Sequence, residues 1–207
     1  MSPRLARRIT QLLVGLFLYG YADGMMVRAG IGVAPWDVLT LGLERHTGIA
    51  FGWLTNITGA VVLLLWIPLR QRPGVGTVLN VVLVGTSAQV ALWTIPQLHV
   101  LWAQVLLFAG GLVLLAVATG LYIGAGFGPG PRDGLMTGIH NRFGWRIWIV
   151  RTAIEVAVLV VGWLLGGDVG VGTVAFALLI GPLVNVTMPL LRVPDPWPAV
   201  QEAAATA

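Results

Sequence analysis

The sequence predicts an all-α membrane protein: six transmembrane helices plus two short re-entrant or tilted helices, arranged as two internal repeats that are expected to be inverted. Three observations predict this. The chain of 207 residues is 57% hydrophobic and only 10% charged, with a mean hydropathy of +0.88. A soluble domain carries about 25% charged residues, so this chain cannot cover a surface facing water. Six apolar stretches approach the roughly 20 residues of helix that cross a hydrocarbon core. Finally, the chain aligns with itself without gaps at an interval of 96 residues.

The apolar stretches run over residues 9–27, 49–69, 77–95, 101–123, 145–165 and 171–191. The first follows Arg4, Arg7 and Arg8 without a small-residue cleavage site, and reads as an uncleaved signal anchor. The tail over 193–207, with Pro194, Pro196 and Pro198, is expected to be frayed. Residues 30–48 and 126–144 remain, each a Gly/Pro-rich turn leading into a helix too short to span untilted.

All twelve basic residues are arginines. If both short segments re-enter, Arg4, Arg7, Arg8, Arg70, Arg72, Arg132, Arg142, Arg146 and Arg192 share the inner face. Only Arg28 and Arg45 are then outside, as the positive-inside rule favours. Both termini are then cytoplasmic. A net charge of +4 thus reports topology, and no nucleic-acid partner is expected. The absence of cysteine excludes thiolate catalysis and Cys-ligated zinc. His46, His99 and His140 are dispersed, so no metal site is expected. Serine is confined to Ser2 and Ser87, which leaves a Ser/His/Asp hydrolase without support. The chain is expected not to be an enzyme, and no cofactor is implied.

At the 96-residue interval Asp37 matches Asp133, Gly30 matches Gly126, Gly32 matches Gly128, Pro35 matches Pro131, and Gly74-Val75-Gly76-Thr77-Val78 matches Gly170-Val171-Gly172-Thr173-Val174. There are 23 identities over the 72 positions from Gly15 to Thr86. This composition gives about 6 or 7 by chance, so the repeat is the most specific internal signal in the chain. It divides the chain into a first membrane repeat (1–96), a second (97–192) and a tail (193–207). Three spans plus one re-entrant segment cross an odd number of times, which inverts the second half relative to the first.

The turn motif recurs as Gly30-x-Gly32-x-x-Pro35-Trp36-Asp37 and Gly126-x-Gly128-x-x-Pro131-Arg132-Asp133. Glycine permits positive φ, proline suits the first helical turn, and the carboxylate sits at the positive end of the helix dipole. On the functional reading Asp37 and Asp133 face a central cavity and bind a cation, a proton or a cationic group. The alternative is that each caps its own half-helix. Trp36 and Arg132 occupy the same repeat position, so the halves differ chemically there. Arg132 is either an anion-binding guanidinium or a topology anchor paired with Asp133. Asp23, and Arg151 with Glu155 at i, i+4, are candidate coupling groups. Their structural alternatives are headgroup contact for Asp23 and self-neutralisation for the pair. The Gly20/Gly24, Gly48/Gly52 and Gly120/Gly124 pairs suit close helix packing, preferred within the chain over a homodimer through the same faces.

These motifs, with Pro73-Gly74-x-Gly76-Thr77-x-x-Asn80 and Val150-Arg151-x-x-x-Glu155, resemble the YczE/YyaS/YitT-type bacterial integral membrane proteins, and the YczE-like branch most closely. The resemblance covers about residues 10–190. It implies a multispanning protein of the bacterial plasma membrane and implies no chemistry. The leading expectation is a small transporter or channel-like permease of unknown substrate, with its site between the repeats. The alternative is a non-transporting accessory protein that stabilises or recruits another membrane component.

Overall fold

A computed structural model of the protein describes residues 3–191. They form eight α-helices: α1 (Pro3–Ala29), α2 (Pro35–Thr47), α3 (Phe51–Leu64), α4 (Val75–Thr94), α5 (Leu101–Gly124), α6 (Pro131–Phe143), α7 (Ile147–Leu164) and α8 (Val171–Leu191). Five are long and apolar enough to cross a membrane, and α2 with α3, bent by 115° at their junction, makes a sixth candidate span. The expected tail over 193–207 lies outside the described residues.

The helices start and stop where local chemistry demands. Pro35 and Pro131 open α2 and α6, where a missing N–H costs nothing. Gly48 and Gly144 close them in the left-handed conformation, with φ of 70° and 72°. At about 1.5 Å per residue, these 13-residue helices reach about 20 Å, short of the bilayer core. The expected span over 49–69 is shorter as a helix. α3 ends at Leu64 and gives way to turns up to Arg70, whose φ is +55°.

The centre of the bundle is α1 packed on α5, with α4 against α1 and α8 against α5. α1 and α5 run antiparallel: Gly15 lies on Leu121 and Tyr122, whereas Gly111 lies on Ala22, Met25 and Met26. Ala22, Met26, Phe108, Leu112, Leu115 and Ile180 form the largest buried apolar cluster. Small residues set the approach. Gly20 and Gly24 lie on Val84, Ala88 and Ala91 of α4, Gly52 on Gly85, and Gly120 on Thr187 of α8. These glycine faces are therefore used within the chain. Gly48 is the exception, since its role is the left-handed helix end.

α2 stays at one end of the molecule. Its start lies by Gly170, its middle against Gly162 and Leu165, and Arg45 near its end bonds Asp168 at 2.6 Å. α6 stays at the opposite end, where Gly134 lies on Trp66, Gly138 on Leu69 and Gln71, and Gly128 on Gly74.

Bonds between the two turns recur 96 residues apart. The Gly172 N–H donates to Ile31 O at 2.8 Å, and the Gly76 N–H donates to Phe127 O at 3.0 Å. Thr173 Oγ1 accepts from the Val33 N–H at 3.2 Å, while the Thr77 hydroxyl donates to Pro129 O at 2.8 Å. Both threonines also accept the N–H three residues earlier, from Gly170 and Gly74, so they cap α8 and α4. Gly32 and Gly128 have φ of 111° and 112°. A Cβ on Gly32 would fall 2.7 Å from Gly170 N.

Candidate functional site: a cavity at the helix crossing

All eight helices line one internal cavity of about 200 Å³. The polar part of its wall comprises Tyr19, Asp23, Asn80, Tyr122, Arg132 and Asp133, with Arg151 and Glu155 at one side. Leu115, Phe176, Ile180, Val184 and Met188 form an apolar wall from α5 and α8.

α1 supplies Tyr19 and Asp23 one turn apart. Asp23 is 2% exposed, and its Oδ2 has no hydrogen-bond partner. Contact with lipid headgroups, one reading of this residue, is thereby excluded. α6 supplies Arg132 and Asp133 from its first turn. The expected ion pair between these neighbours is absent from the described contacts. Asp133 Oδ2 instead accepts from the Tyr122 hydroxyl at 2.9 Å, and the Arg132 guanidinium lies 4.9 Å from the centre of the Trp36 ring. Neither Asp37 nor Asp133 caps its own helix, because the caps, Ala34 and Gly130, receive no side-chain bond.

Trp36 and Arg132 lie 96 residues apart and meet each other. Two arginines here would repel, whereas a guanidinium over an indole face attracts by about 0.5–2 kcal/mol. That accounts for the chemical difference between the two turns.

Asp37 departs from expectation. It is fully buried, but it does not line the cavity; Pro35 and Trp36 do, and its two carboxylate oxygens lie behind them without a hydrogen-bond partner. The loop before α2 is pinned through Ile31 and Val33 to α8. Asp37, Asp23 and Asp133 all act on Arg132 through space.

Arg151 and Glu155 pair along α7 at 3.1 Å, as their spacing predicts. They lie at the edge of the cavity, with side chains 50% and 28% exposed. Tyr19, Thr119 and Tyr122 were not legible as site residues. Tyr19 and Tyr122 cross edge to face at 5.7 Å, a contact between α1 and α5 that no local pattern announces. No group of three or more His, Asp or Glu residues suited to a metal occurs among the described residues.

The comparisons fit this picture. Residues 6–189 match the family of unknown function DUF6198. The chain belongs to that family. Within reach of this DUF6198 member are an uncharacterised protein of Haemophilus influenzae, 37% identical over 86% of this chain and 82% of that protein, and the uncharacterised membrane protein YczE of Bacillus subtilis, 31% identical over 91% and 89%. YyaS of Bacillus subtilis is 25% identical over 86% and 91%. No solved structure matches. The similarity to YczE and the apolar helices together make this DUF6198 chain a multi-pass membrane protein.

Proposed function

We propose that the protein is a small transporter or channel-like permease for cations, and not an enzyme, with its site in the cavity between two inverted repeats. Lining residues that recur at the 96-residue interval carry this reading. Tyr19 and Leu115, Asp23 and Thr119, Pro35 and Pro131, and Trp36 and Arg132 all face the same space. Equivalent residues converge in this way around a two-fold axis, where inverted-repeat carriers hold their substrates. The antiparallel run of α1 and α5 and the reciprocal bonds of the two turns support the same axis.

Ionisable groups inside a membrane protein are costly and belong by default to ion or substrate paths. Here Arg151 and Glu155 pair with each other, and Asp23 and Asp133 stand on the cavity wall beside Arg132. Their carboxyl oxygens are the acceptors that a cationic group with N–H donors would use. The distribution of arginines supports a reading with both termini on the cytoplasmic side of a bacterial plasma membrane.

Proteoliposome uptake of rubidium, methylammonium and protons tests this reading. Saturable uptake of one of them, lost in Asp23→Asn and Asp133→Asn variants that still insert, is the expected result. Uptake unchanged in both variants overturns the site. Topology has its own test, since the chain has no cysteine. Single cysteines at His46 and Arg142, both exposed, are expected to react with an impermeant thiol reagent from opposite sides.

A further inference from the structure

The two halves differ most where their third helix meets their fourth. In the first half α3 packs along α4. Gly52 lies on Gly85, its N–H donates to Gln89 Oε1 at 3.0 Å, and Asn56 Nδ2 bonds Thr86 Oγ1 at 3.3 Å. In the second half α7 leans on α2 and α6, and it has no comparable packing on α8. A Cβ on Gly181, the counterpart of Gly85, would meet nothing within 4 Å.

The sequence contains the cause. Gly52, Thr55 and Gly59, which let α3 approach α4, correspond to Trp148, Arg151 and Glu155 on α7. Three small residues have become three large ones, so α7 cannot close on α8 as α3 closes on α4. The gap is a built feature. Gly181, Arg151 and Glu155 all line the cavity, so the cavity reaches the gap between two membrane helices.

We propose that this gap is a lateral doorway through which an amphiphile with an ammonium headgroup enters from the bilayer. The head lies against Asp23 and Asp133, and the chain runs along Phe176, Ile180, Val184 and Met188 and out between α7 and α8. The Asp23 and Asp133 carboxyl groups select a head that carries N–H donors, and Asp23 Oδ2 is a buried oxygen with no hydrogen-bond partner among the described residues. The apolar wall lies on the α8 side of the doorway, where a chain would pass. A space of about 200 Å³ takes a headgroup and a few methylenes, so a long chain has to extend through the opening. The Arg151–Glu155 pair gives the threshold polarity without net charge. This inference rests on the cavity reading above.

A single thiol in the cavity tests it. Thr119→Cys is close in size to the native residue and is the chain's only cysteine. The variant is placed in phosphatidylglycerol nanodiscs, which lack an ammonium headgroup, and labelled with N-ethylmaleimide. Dodecylammonium at about ten times its Kd is expected to slow labelling about tenfold, whereas ethylammonium and dodecyl sulfate leave the rate unchanged. The added pair R151T/E155G, which copies the α3 residues, is expected to remove the dodecylammonium effect. Equal protection by ethylammonium overturns the doorway while leaving a cation site in the cavity. Equal protection by dodecyl sulfate overturns the charge selection. Undiminished protection in the double variant overturns the route. No protection by any probe overturns both the doorway and the cavity site. Should the double variant fail to fold, the three probes on Thr119→Cys alone decide.

Discussion

Gly85→Ala and Gly181→Ala are the same substitution at equivalent repeat positions, and opposite outcomes are expected. At Gly85 the new Cβ would lie 2.7 Å from Asn56 Cγ and would overlap the Gly52 carbonyl and Asn56 amide oxygens. Ordinary contacts begin at 3.4 Å, and because the Gly52 oxygen is backbone, α3 itself must retreat by about 1 Å. Such overpacking costs about 1–3 kcal/mol. The retreat also strains the Gly52–Gln89 and Asn56–Thr86 bonds, each worth about 0.6 kcal/mol within a membrane. Alanine returns up to about 1 kcal/mol of helix propensity at either site. The net expectation is a loss of about 1–3 kcal/mol at Gly85. At Gly181 no atom is displaced, and a gain of up to about 1 kcal/mol is expected. Unfolding by SDS in mixed micelles measures both. Equal losses at the two glycines would refute the reasoning, because they would mean that α8 is as closely packed as α4.

Other variants probe the turns and the cavity. Gly32→Ala, at φ +111° with the Gly170 backbone against it, should abolish folding, whereas Gly48→Ala, at φ +70° in open space, should cost only about 1 kcal/mol in the same titration. Tyr122→Phe removes the donor to Asp133 and should destabilise the protein by about 1–3 kcal/mol, again read by SDS unfolding. The exposed pair Arg45–Asp168, with side chains 53% and 55% accessible, should contribute about 0–1 kcal/mol in a double-mutant cycle of Arg45→Ala and Asp168→Ala, and less at high salt.

Much of the fold was legible because membrane spans are encoded locally. Twenty apolar residues state a helix, and Pro35, Gly48, Pro131 and Gly144 mark the ends of α2 and α6 by backbone rules that need no neighbours. The site was legible only in part. Asp133, Arg132, Trp36 and Asp23, which charge and the 96-residue interval single out, line the cavity. Asp37 lies off the cavity wall although the loop before it is clasped as the loop before Asp133 is, so the recurring motif alone does not tell the two carboxyl groups apart. Tyr122 gave no local signal, since its partner Asp133 arrives from another helix. The α7–α8 gap was written in Trp148, Arg151 and Glu155, yet it became readable only once α3 was seen packed on α4.

The reciprocal turn bonds have a consequence for biosynthesis. The turn before α2 is secured by Thr173 through Val33, a partner 140 residues further along. At about 5–20 residues per second, that partner is synthesised roughly 7–28 s later. Throughout that interval the loop before α2 lacks its bonds to Gly172 and Thr173. The first half is thus inserted before it can be finished, and completion of both halves coincides with the arrival of α8. Premature termination anywhere before Thr173 should therefore leave no independently stable fragment for the cell to retain.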